Sequence, residues 1–438
     1  MGRYFGTDGI RGKAGSVVCA ELAFKLGFHL KKSLNKTCVV IGYDTRASSQ
    51  MLAYSVASGV LASGADVLMA GVVSTPMIAY YTRHKKTTGV MVTASHNPYY
   101  DNGLKVFNEG YKLTEKLETI LEDHFDKSFP CQEEHFGKLF HSDDVTEWYK
   151  TLYKDLALEP INLSVGYDSA NGANYLIAKH VIHSICDESY QINNQPDGKN
   201  TNLMCGSTHL EAIKELVHEK QFDIGLSFDG DGDRVLIVDH HQTVYDGDVI
   251  VYAIAKYLKS QNKLAKNTVV LTQMSNLGII KAFHNLGIKT VLTPVGDKYV
   301  TEEILKNGYS LGGENSGHII LNEFIHTGDG LFVAVYLLMI LQKLKVTLKS
   351  YVSEIAMYPQ TLVNIENVDK SVLTTKAYQE LKKKAQAELG EDAKLLIRAS
   401  GTEPVIRVTI SHPSEATMNR VVTLLVDGIK TIAKEALL

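Results

Sequence analysis

Residues 89–107 read GVMVTASHNPYYDNGLKVF. Val90-Met91-Val92 is a short apolar strand, and Thr93-Ala94-Ser95-His96-Asn97-Pro98 is a small polar loop stopped by a proline. Asp101-Asn102-Gly103 follows, and Asn-Gly between apolar runs is a strong hairpin signal. The pattern predicts a turn there that returns Leu104-Lys105-Val106-Phe107 as a second strand, with Lys105 on the face opposite to Leu104 and Val106. Such a fold gathers an exposed serine hydroxyl, an imidazole and an amine. A free hydroxyl is a weak nucleophile at neutral pH and needs a group to take its proton, so Ser95, His96 and Lys105 are candidates for one piece of chemistry. Taken alone, the stretch is equally a polar connection with a solvated lysine.

The surrounding chain sets this strand-loop-strand in an α/β framework. Upstream, helix 20–34, strand 38–41, helix 51–63 and strand 66–69 alternate. The charged stretch 114–154, which holds the sole tryptophan, Trp148, reads as helical and as a domain boundary. Strands 163–166 and 224–228, helix 249–258, strand 268–271, helix 277–286, strand 290–293 and helix 330–342 continue the alternation, which predicts mostly parallel sheets. Beyond Met357-Tyr358-Pro359 come strand 361–365, helix 374–389, strands 394–398 and 406–410 and a final helix, a small α+β end domain. Gly42-Tyr43-Asp44 after one strand is echoed by Gly166-Tyr167-Asp168 after another, a short hint of repeated units.

A chain of 438 residues is too long for one core and suggests roughly three domains. A net charge of −4 offers no polybasic surface for nucleic acid or an anionic membrane. Cys19, Cys38, Cys131, Cys186 and Cys205 are scattered and never form a CxxC pair, which points to reduced packing thiols, not to a disulfide frame or a zinc site. MGRYFGTDGIRG has no apolar h-region, and the run Leu331–Leu341 is too short to span a bilayer. The expected setting is the cytoplasm.

Asp229-Gly230-Asp231-Gly232-Asp233-Arg234 carries the most specific chemistry. Three carboxylates separated only by glycines repel one another without a cation, and an all-oxygen set suits Mg2+ or Ca2+. An EF-hand needs a glutamate at its twelfth position, where His240 stands, and Mg2+ fits better because it leaves room for a phosphate oxygen. A solvated acidic turn is the alternative. Phe5-Gly6-Thr7-Asp8-Gly9-Ile10-Arg11 is a glycine-punctuated loop whose Arg11 can fork onto a phosphate, or else a flexible end. Glu314-Asn315-Ser316-Gly317-His318 suits sugar hydroxyls, with Lys298 at a strand end before it. Arg398-Ala399-Ser400-Gly401-Thr402-Glu403-Pro404, with Arg407 following, reads as an anion nest or an ordinary polar turn.

Together FGTDGIRG, TASHNPYYDNG, DGDGDR, GENSGH and RASGTEP, in this order, resemble the α-D-phosphohexomutase family along nearly the whole chain. The resemblance implies three similar α/β domains with mixed, mostly parallel sheets and a smaller α+β C-terminal domain around a central cleft. It implies boundaries at 1–154 (phosphoserine loop), 155–248 (metal), 249–358 (sugar) and 359–438 (phosphate). Carried over by motif, Ser95 is the phosphoserine, and Ser95, Asp229, Asp231 and Asp233 hold one Mg2+. Arg11 and Lys105 contact the moving phosphoryl, with Lys105 as general acid and base. His96, Arg234, Lys298 and His318 line the cleft, and Glu314 and Ser316 bind sugar hydroxyls. Arg398, Ser400, Gly401, Thr402 and Arg407 hold the phosphate that does not react. The implied reaction interconverts glucosamine 6-phosphate and glucosamine 1-phosphate through a bound hexose 1,6-bisphosphate, feeding UDP-N-acetylglucosamine and cell-wall synthesis. The implied partner is a small phosphosugar, without nucleic acid or membrane, and a homodimer is left open.

Three positions depart from the family pattern: Ser49 stands where glycine is usual, Thr93 where serine is usual, and Ala399 where lysine is common. Asn315 and the YFGTDGIRG start favour the amino sugar. The alternatives are mannose or glucose phosphate as substrate of the same transfer, and a metal-dependent sugar phosphatase. Ser95 has no G-x-S-x-G elbow, and neither a P-loop nor a GxGxxG fingerprint is present, so serine-hydrolase and nucleotide chemistry are not supported.

Overall fold

The computed structural model describes residues 3–127, 135–156, 159–399 and 405–435. They divide into two compact units, residues 1–272 with 291–352 and residues 273–290 with 353–438.

The first sheet contains β1 (Ile10–Lys13), β2 (Cys38–Tyr43), β3 (Asp66–Val72), β4 (Thr88–Val92), β5 (Asp101–Asn108), β6 (Tyr111–Lys112) and β7 (Leu139–His141). Its spatial order is β1-β5-β4-β2-β3-β7, with β6 on β5. β4, β2, β3 and β7 run parallel, while β5 is antiparallel to β1, β4 and β6. Every residue of β4 is buried, as the continuous apolar run of a strand covered on both faces requires. Val90 and Val92 join Val39, Ile41, Leu26, Leu52 and Val56 in one core with the helices Ala20–Leu34 and Ser49–Ala62.

The second sheet contains β8 (Val165–Asp168), β9 (Ser189–Ile192), β10 (Ile224–Phe228), β11 (Val235–Val238) and β12 (Val244–Tyr245), in the order β12-β11-β10-β8-β9. The third contains β13 (Thr268–Thr272), β14 (Lys289–Thr293), β15 (Leu311–Gly313) and β16 (Ile319–Leu321), in the order β14-β13-β15-β16. One plan recurs: β3-β2-β4-β5, β9-β8-β10-β11 and β14-β13-β15-β16 each end in an antiparallel strand beside a parallel pair. The crossing into that antiparallel strand holds Ser95 in the first repeat, the three aspartates in the second and Glu314 to His318 in the third. The repeated topology thus delivers three different motifs from equivalent crossings at the carboxyl ends of parallel strands, where open α/β sheets bind ligands.

The second unit holds helix Leu277–Asn285 and the antiparallel sheet of β17 (Gln360–Glu366), β18 (Lys394–Ala399) and β19 (Val405–Ser411), in the order β17-β19-β18. Helices Lys376–Leu389 and Glu415–Glu435 supply Tyr378, Ala385, Val421, Leu425 and Ile429 to a core with Ile365, Ile406, Val408 and Ile410.

Two sequence expectations are corrected. Asn102-Gly103 is no turn: β5 already begins at Asp101, and residues 93–100 make the connection. Buried Asn102 donates to Ser48 and Ser49 Oγ at 2.8 Å, so its amide serves tertiary contacts. Gly103 pairs with Arg11 of β1, and a Cβ there would lie 2.4 Å from the Thr93 carbonyl oxygen and 2.6 Å from that of Ile10. Glycine is needed for close strand approach, not for φ. The stretch 114–154 is also not continuously helical, because the short exposed strand β7 lies between helices Glu115–Glu122 and Asp144–Asp155. Helix Gly330–Leu344 is buried over most of its length, and among the described residues no helix is long and apolar enough to cross a membrane.

Candidate active site

Ser95 is only 1% exposed, where the sequence suggests an exposed loop hydroxyl. Its φ of +53° is a left-handed conformation unusual for a serine, and the surroundings hold it. Its N–H donates to Thr93 Oγ1 at 2.9 Å, and its carbonyl accepts from Arg46 Nη2 at 2.8 Å and Asn202 Nδ2 at 2.7 Å. Arg46 also donates to the carbonyls of Asn97 (2.8 Å), Asp101 (3.1 Å) and Pro98. Asp44 anchors this arginine through Oδ2 at 2.7 Å, with both side chains fully buried. Two of the departing residues serve that anchor: Thr93 and Ser49 donate to the Asp44 carboxylate at 2.6 and 2.5 Å. Held this way, Ser95 Oγ donates to Asp229 Oδ2 at 2.6 Å and lies 3.5 Å from His96 Nδ1. Burial, then Arg234 and Arg11, push the His96 pKa down to about 2, so this ring is neutral.

Asp229, Asp231 and Asp233 are buried, and one oxygen of each lies within 4.8 Å of the others. Burial and the two neighbouring carboxylates hold Asp229 well above the usual range. Burial would raise Asp231 and Asp233 too, but Lys105 outweighs it, with Thr75 hydrogen-bonded to Asp231 and His318 acting on Asp233. Asp231 Oδ1 and Asp233 Oδ1 are buried without a hydrogen-bond partner. Such orphaned oxygens are costly unless something binds them. A hard divalent cation fits this all-oxygen set.

Lys105, also 1% exposed, places Nζ 2.7 Å from Asp231 Oδ2 and 3.0 Å from Asp233 Oδ2 and Asp8 Oδ2. Asp8 pairs further with Arg11 and Lys112, and Lys112 with Asp297. His318 lies 3.3 Å from Asp297 through Nε2 and 3.6 Å from Asp233 through Nδ1. Its Nε2 also accepts the Gly328 N–H at 2.9 Å, and a Cβ on Gly328 would reach the ring at 2.5 Å. His318 is therefore buried against protein partners. Arg234 Nε lies 3.9 Å from Asp233 Oδ1 and, buried, has no hydrogen-bond acceptor. Lys298 turns to Glu118 at 2.8 Å. The N-terminal loop is not a free end: Glu122 accepts the N–H groups of Arg3, Tyr4 and Phe5 at 2.6 to 2.7 Å.

In the third crossing Glu314 accepts the Gly296 N–H at 3.0 Å, and burial, then Asp297, raise its pKa. The Ser316 hydroxyl is buried without a partner. In the second unit Arg398 and Arg407 face each other as a cross-strand pair of β18 and β19, and burial, then Arg407, lower the Arg398 pKa. Ser400, Gly401 and Thr402 lie outside the described residues. Sequence reading missed Asp8, Asp44, Arg46, Lys112, Asn202 and Asp297. GTD and GYDTR stood in view for three of them, but their partners lie on other elements.

The phosphoglucomutase/phosphomannomutase models match domain I at residues 2–130, domain II at 143–242, domain III at 246–358 and the C-terminal domain at 362–427. A phosphoglucosamine mutase of Bacillus cytotoxicus is 42% identical over 98% of this chain and 99% of its own. That of Shouchella clausii is 41% identical with the same coverage. Among solved structures, a phosphoglucomutase/phosphomannomutase family protein of Burkholderia thailandensis aligns with a TM-score of 0.83 at 21% identity, covering 99% of this chain and 98% of that one. Aspergillus fumigatus N-acetylphosphoglucosamine mutase, in complex with GlcNAc-6P and magnesium, aligns at 0.68 and 16% identity over 98% and 96%. The low identities of the structures speak to fold alone, while the full-length identity to the Bacillus and Shouchella enzymes speaks to descent. On both grounds the chain belongs to the phosphoglucomutase/phosphomannomutase family of α-D-phosphohexomutases.

Proposed function

We propose that the protein is a phosphoglucosamine mutase, interconverting glucosamine 6-phosphate and glucosamine 1-phosphate through phosphorylated Ser95 and a bound 1,6-bisphosphate. The observation that carries this is the 2.6 Å contact of Ser95 Oγ with Asp229, a hydroxyl set directly against a carboxylate cluster. The amino-sugar assignment is supported by the names of relatives 40–42% identical over nearly the full length. We divide the chain at 154/155, 248/249 and 358/359. We place it in the cytoplasm, which the free thiols of Cys19, Cys38, Cys186 and Cys205 support; Cys131 lies outside the described residues.

Phosphate monoesters are extremely inert, and catalysis of their transfer is mostly positioning and charge neutralisation. Mg2+ held by Ser95, Asp229, Asp231 and Asp233 would supply part of that neutralisation. In the first transfer the bond from phosphorus to Ser95 Oγ breaks as one to sugar O1 forms. Lys105, our assignment for the general acid and base, gives a proton from its ammonium to the departing Ser95 Oγ and takes the O1 proton in its place. After the bisphosphate turns, the phosphorus–O6 bond breaks, Ser95 Oγ takes the phosphoryl and O6 takes the serine proton. Arg11 and Arg234 offset phosphoryl charge, neutral His96 and buried His318 shape the surroundings, and Lys298, Glu314 and Ser316 serve the sugar. Arg398 and Arg407, with residues 400–402, are assigned to the idle phosphate, since guanidiniums opposite each other on one strand pair can fork onto one anion.

The test is ³¹P NMR of the protein with Mg2+, glucosamine 6-phosphate and a trace of hexose 1,6-bisphosphate. Glucosamine 1-phosphate is expected to grow without inorganic phosphate. Growth of inorganic phosphate alone would mean hydrolysis, and turnover confined to mannose or glucose phosphates would move the substrate. Ser95→Ala is expected to abolish conversion while changing stability by about 1 kcal/mol, the usual worth of one buried hydrogen bond.

A further inference from the structure

Six side chains close a ring beside the aspartates in which carboxylates alternate with nitrogen-bearing side chains: Lys105, Asp8, Lys112, Asp297, His318 and Asp233. Its members come from β1's leading loop, β5, β6, the aspartate crossing, the start of helix Asp297–Asn307 and the third crossing. Three of them, Asp8, Lys112 and Asp297, have no assigned part in phosphoryl transfer. Asp8 gathers three cations on one carboxylate: Oδ2 takes Lys105 Nζ and Arg11 Nη2, and Oδ1 takes Lys112 Nζ. Lys112 Nζ is pinned on its other side by Asp297. Asp297 follows Gly296, whose N–H donates to Glu314 of the sugar crossing, so the ring reaches the third repeat through this turn.

On the functional reading above, we propose that Asp8 and Lys112 are positioning residues for the transfer. Lys112, anchored on Asp297, fixes the Asp8 carboxylate, which aims the Lys105 ammonium and the Arg11 guanidinium together at the moving phosphoryl. A carboxylate with one cation can rotate about its χ angles. A carboxylate bridged from both oxygens cannot turn without breaking a part-buried, charge-assisted bond. Long, flexible lysine and arginine side chains otherwise lose their aim, and a misplacement near 1 Å costs about 10²-fold in rate.

The experiment compares three variants in the glucosamine phosphate assay, with folding followed by circular dichroism. Lys112→Met leaves Asp8 and Asp297 facing each other without their cation. It is expected to lower kcat about 10²-fold with KM moving less than about threefold. Asp297→Asn/Lys112→Met and Asp8→Asn/Lys112→Met each remove one charge of each sign, so they read the ring even if Lys112→Met alone folds poorly. The first keeps Asp8 on Lys105 and Arg11, while the second releases both. The Asp297 double variant is expected to retain a kcat at least about tenfold above the Asp8 double variant. A merely structural ring would lower both alike. Equal kcat for the two doubles, or a folded Lys112→Met within about threefold of wild type, would overturn the inference and leave the mutase standing. A wild type that converts no hexose phosphate would overturn the functional reading and this inference with it.

Discussion

Two turns that share a sequence and a place in the fold do different work. Tyr43-Asp44 and Tyr167-Asp168 close the first parallel strands, β2 and β8, of their repeats. In both, the N–H two residues on returns to the aspartate, from Arg46 to Asp44 at 3.1 Å and from Ala170 to Asp168 at 2.7 Å. The side chain of that returning residue makes the difference. Arg46 pairs with Asp44 and reaches on to three carbonyls of the serine loop, including that of Ser95, and to that of Asp101 where β5 begins. Ala170 reaches nothing, and Asp168 is left to amide donors, among them the Gly206 N–H at 2.9 Å. Burial accordingly pushes the Asp168 pKa up to about 6. The same local turn thus becomes a clamp for a reacting loop in one repeat and a tie for a passive loop in the other.

Removing the arginine should have the largest effect. Arg46→Met leaves Asp44 as a buried carboxylate without its cation, and breaking such a pair costs about 3–5 kcal/mol. The serine-loop carbonyls lose their shared donor as well. We expect this loss in urea unfolding and a fall in kcat of about 10²-fold, because the left-handed Ser95 loses support. Unaltered kcat in folded Arg46→Met would show that Asn202 alone holds the loop, and the contrast between the two turns would collapse.

Asp168 should answer to pH instead. Its folded pKa of about 6 exceeds the unfolded 3.8, so the native state binds the proton more tightly. The stabilisation is complete below about pH 4 and disappears as pH rises through about 6, amounting to about 3 kcal/mol by pH 8. Asp168→Asn cannot ionise and should lack that slope. Urea midpoints of wild type and variant between pH 4.5 and 8 would show it, and parallel curves would mean that Asp168 titrates normally.

The contrast also explains what the sequence could disclose. The aspartate crossing was legible because its ligands are neighbours in the chain, three carboxylates among glycines. The Gly-Tyr-Asp echo does mark equivalent strands, yet the third repeat's β13 ends Leu271-Thr272 and leaves no such trace. Asn102-Gly103 misled because its partners, Ser48, Ser49 and the Thr93 carbonyl, belong to other elements. The ring was hidden for the same reason. Lys112 lies 104 residues from Asp8 and 185 from Asp297, and only sheet order brings them together. Chemistry carried by one loop is readable in a line of residues, while chemistry assembled across repeats is not.

The finest version of the comparison concerns the hydroxyls added around Asp44, which Asp168 has no need of. Thr93 Oγ1 both donates to Asp44 and accepts the Ser95 N–H. The hydroxyl, not the methyl, should therefore carry its role. Thr93→Val keeps the shape, takes one of several donors from the Asp44 carboxylate and strands the buried Ser95 N–H, for an expected loss of about 1–3 kcal/mol. Thr93→Ser keeps both bonds and loses one methyl, for about 0.8 kcal/mol, with kcat within about twofold of wild type. The pair separates two accounts of a departure from the family pattern. If serine matches threonine and valine does not, threonine and serine are interchangeable ways of making one hydrogen-bond relay. If serine fails as valine does, the threonine methyl holds the serine loop by packing, and Arg46 is less of a clamp than its bonds suggest.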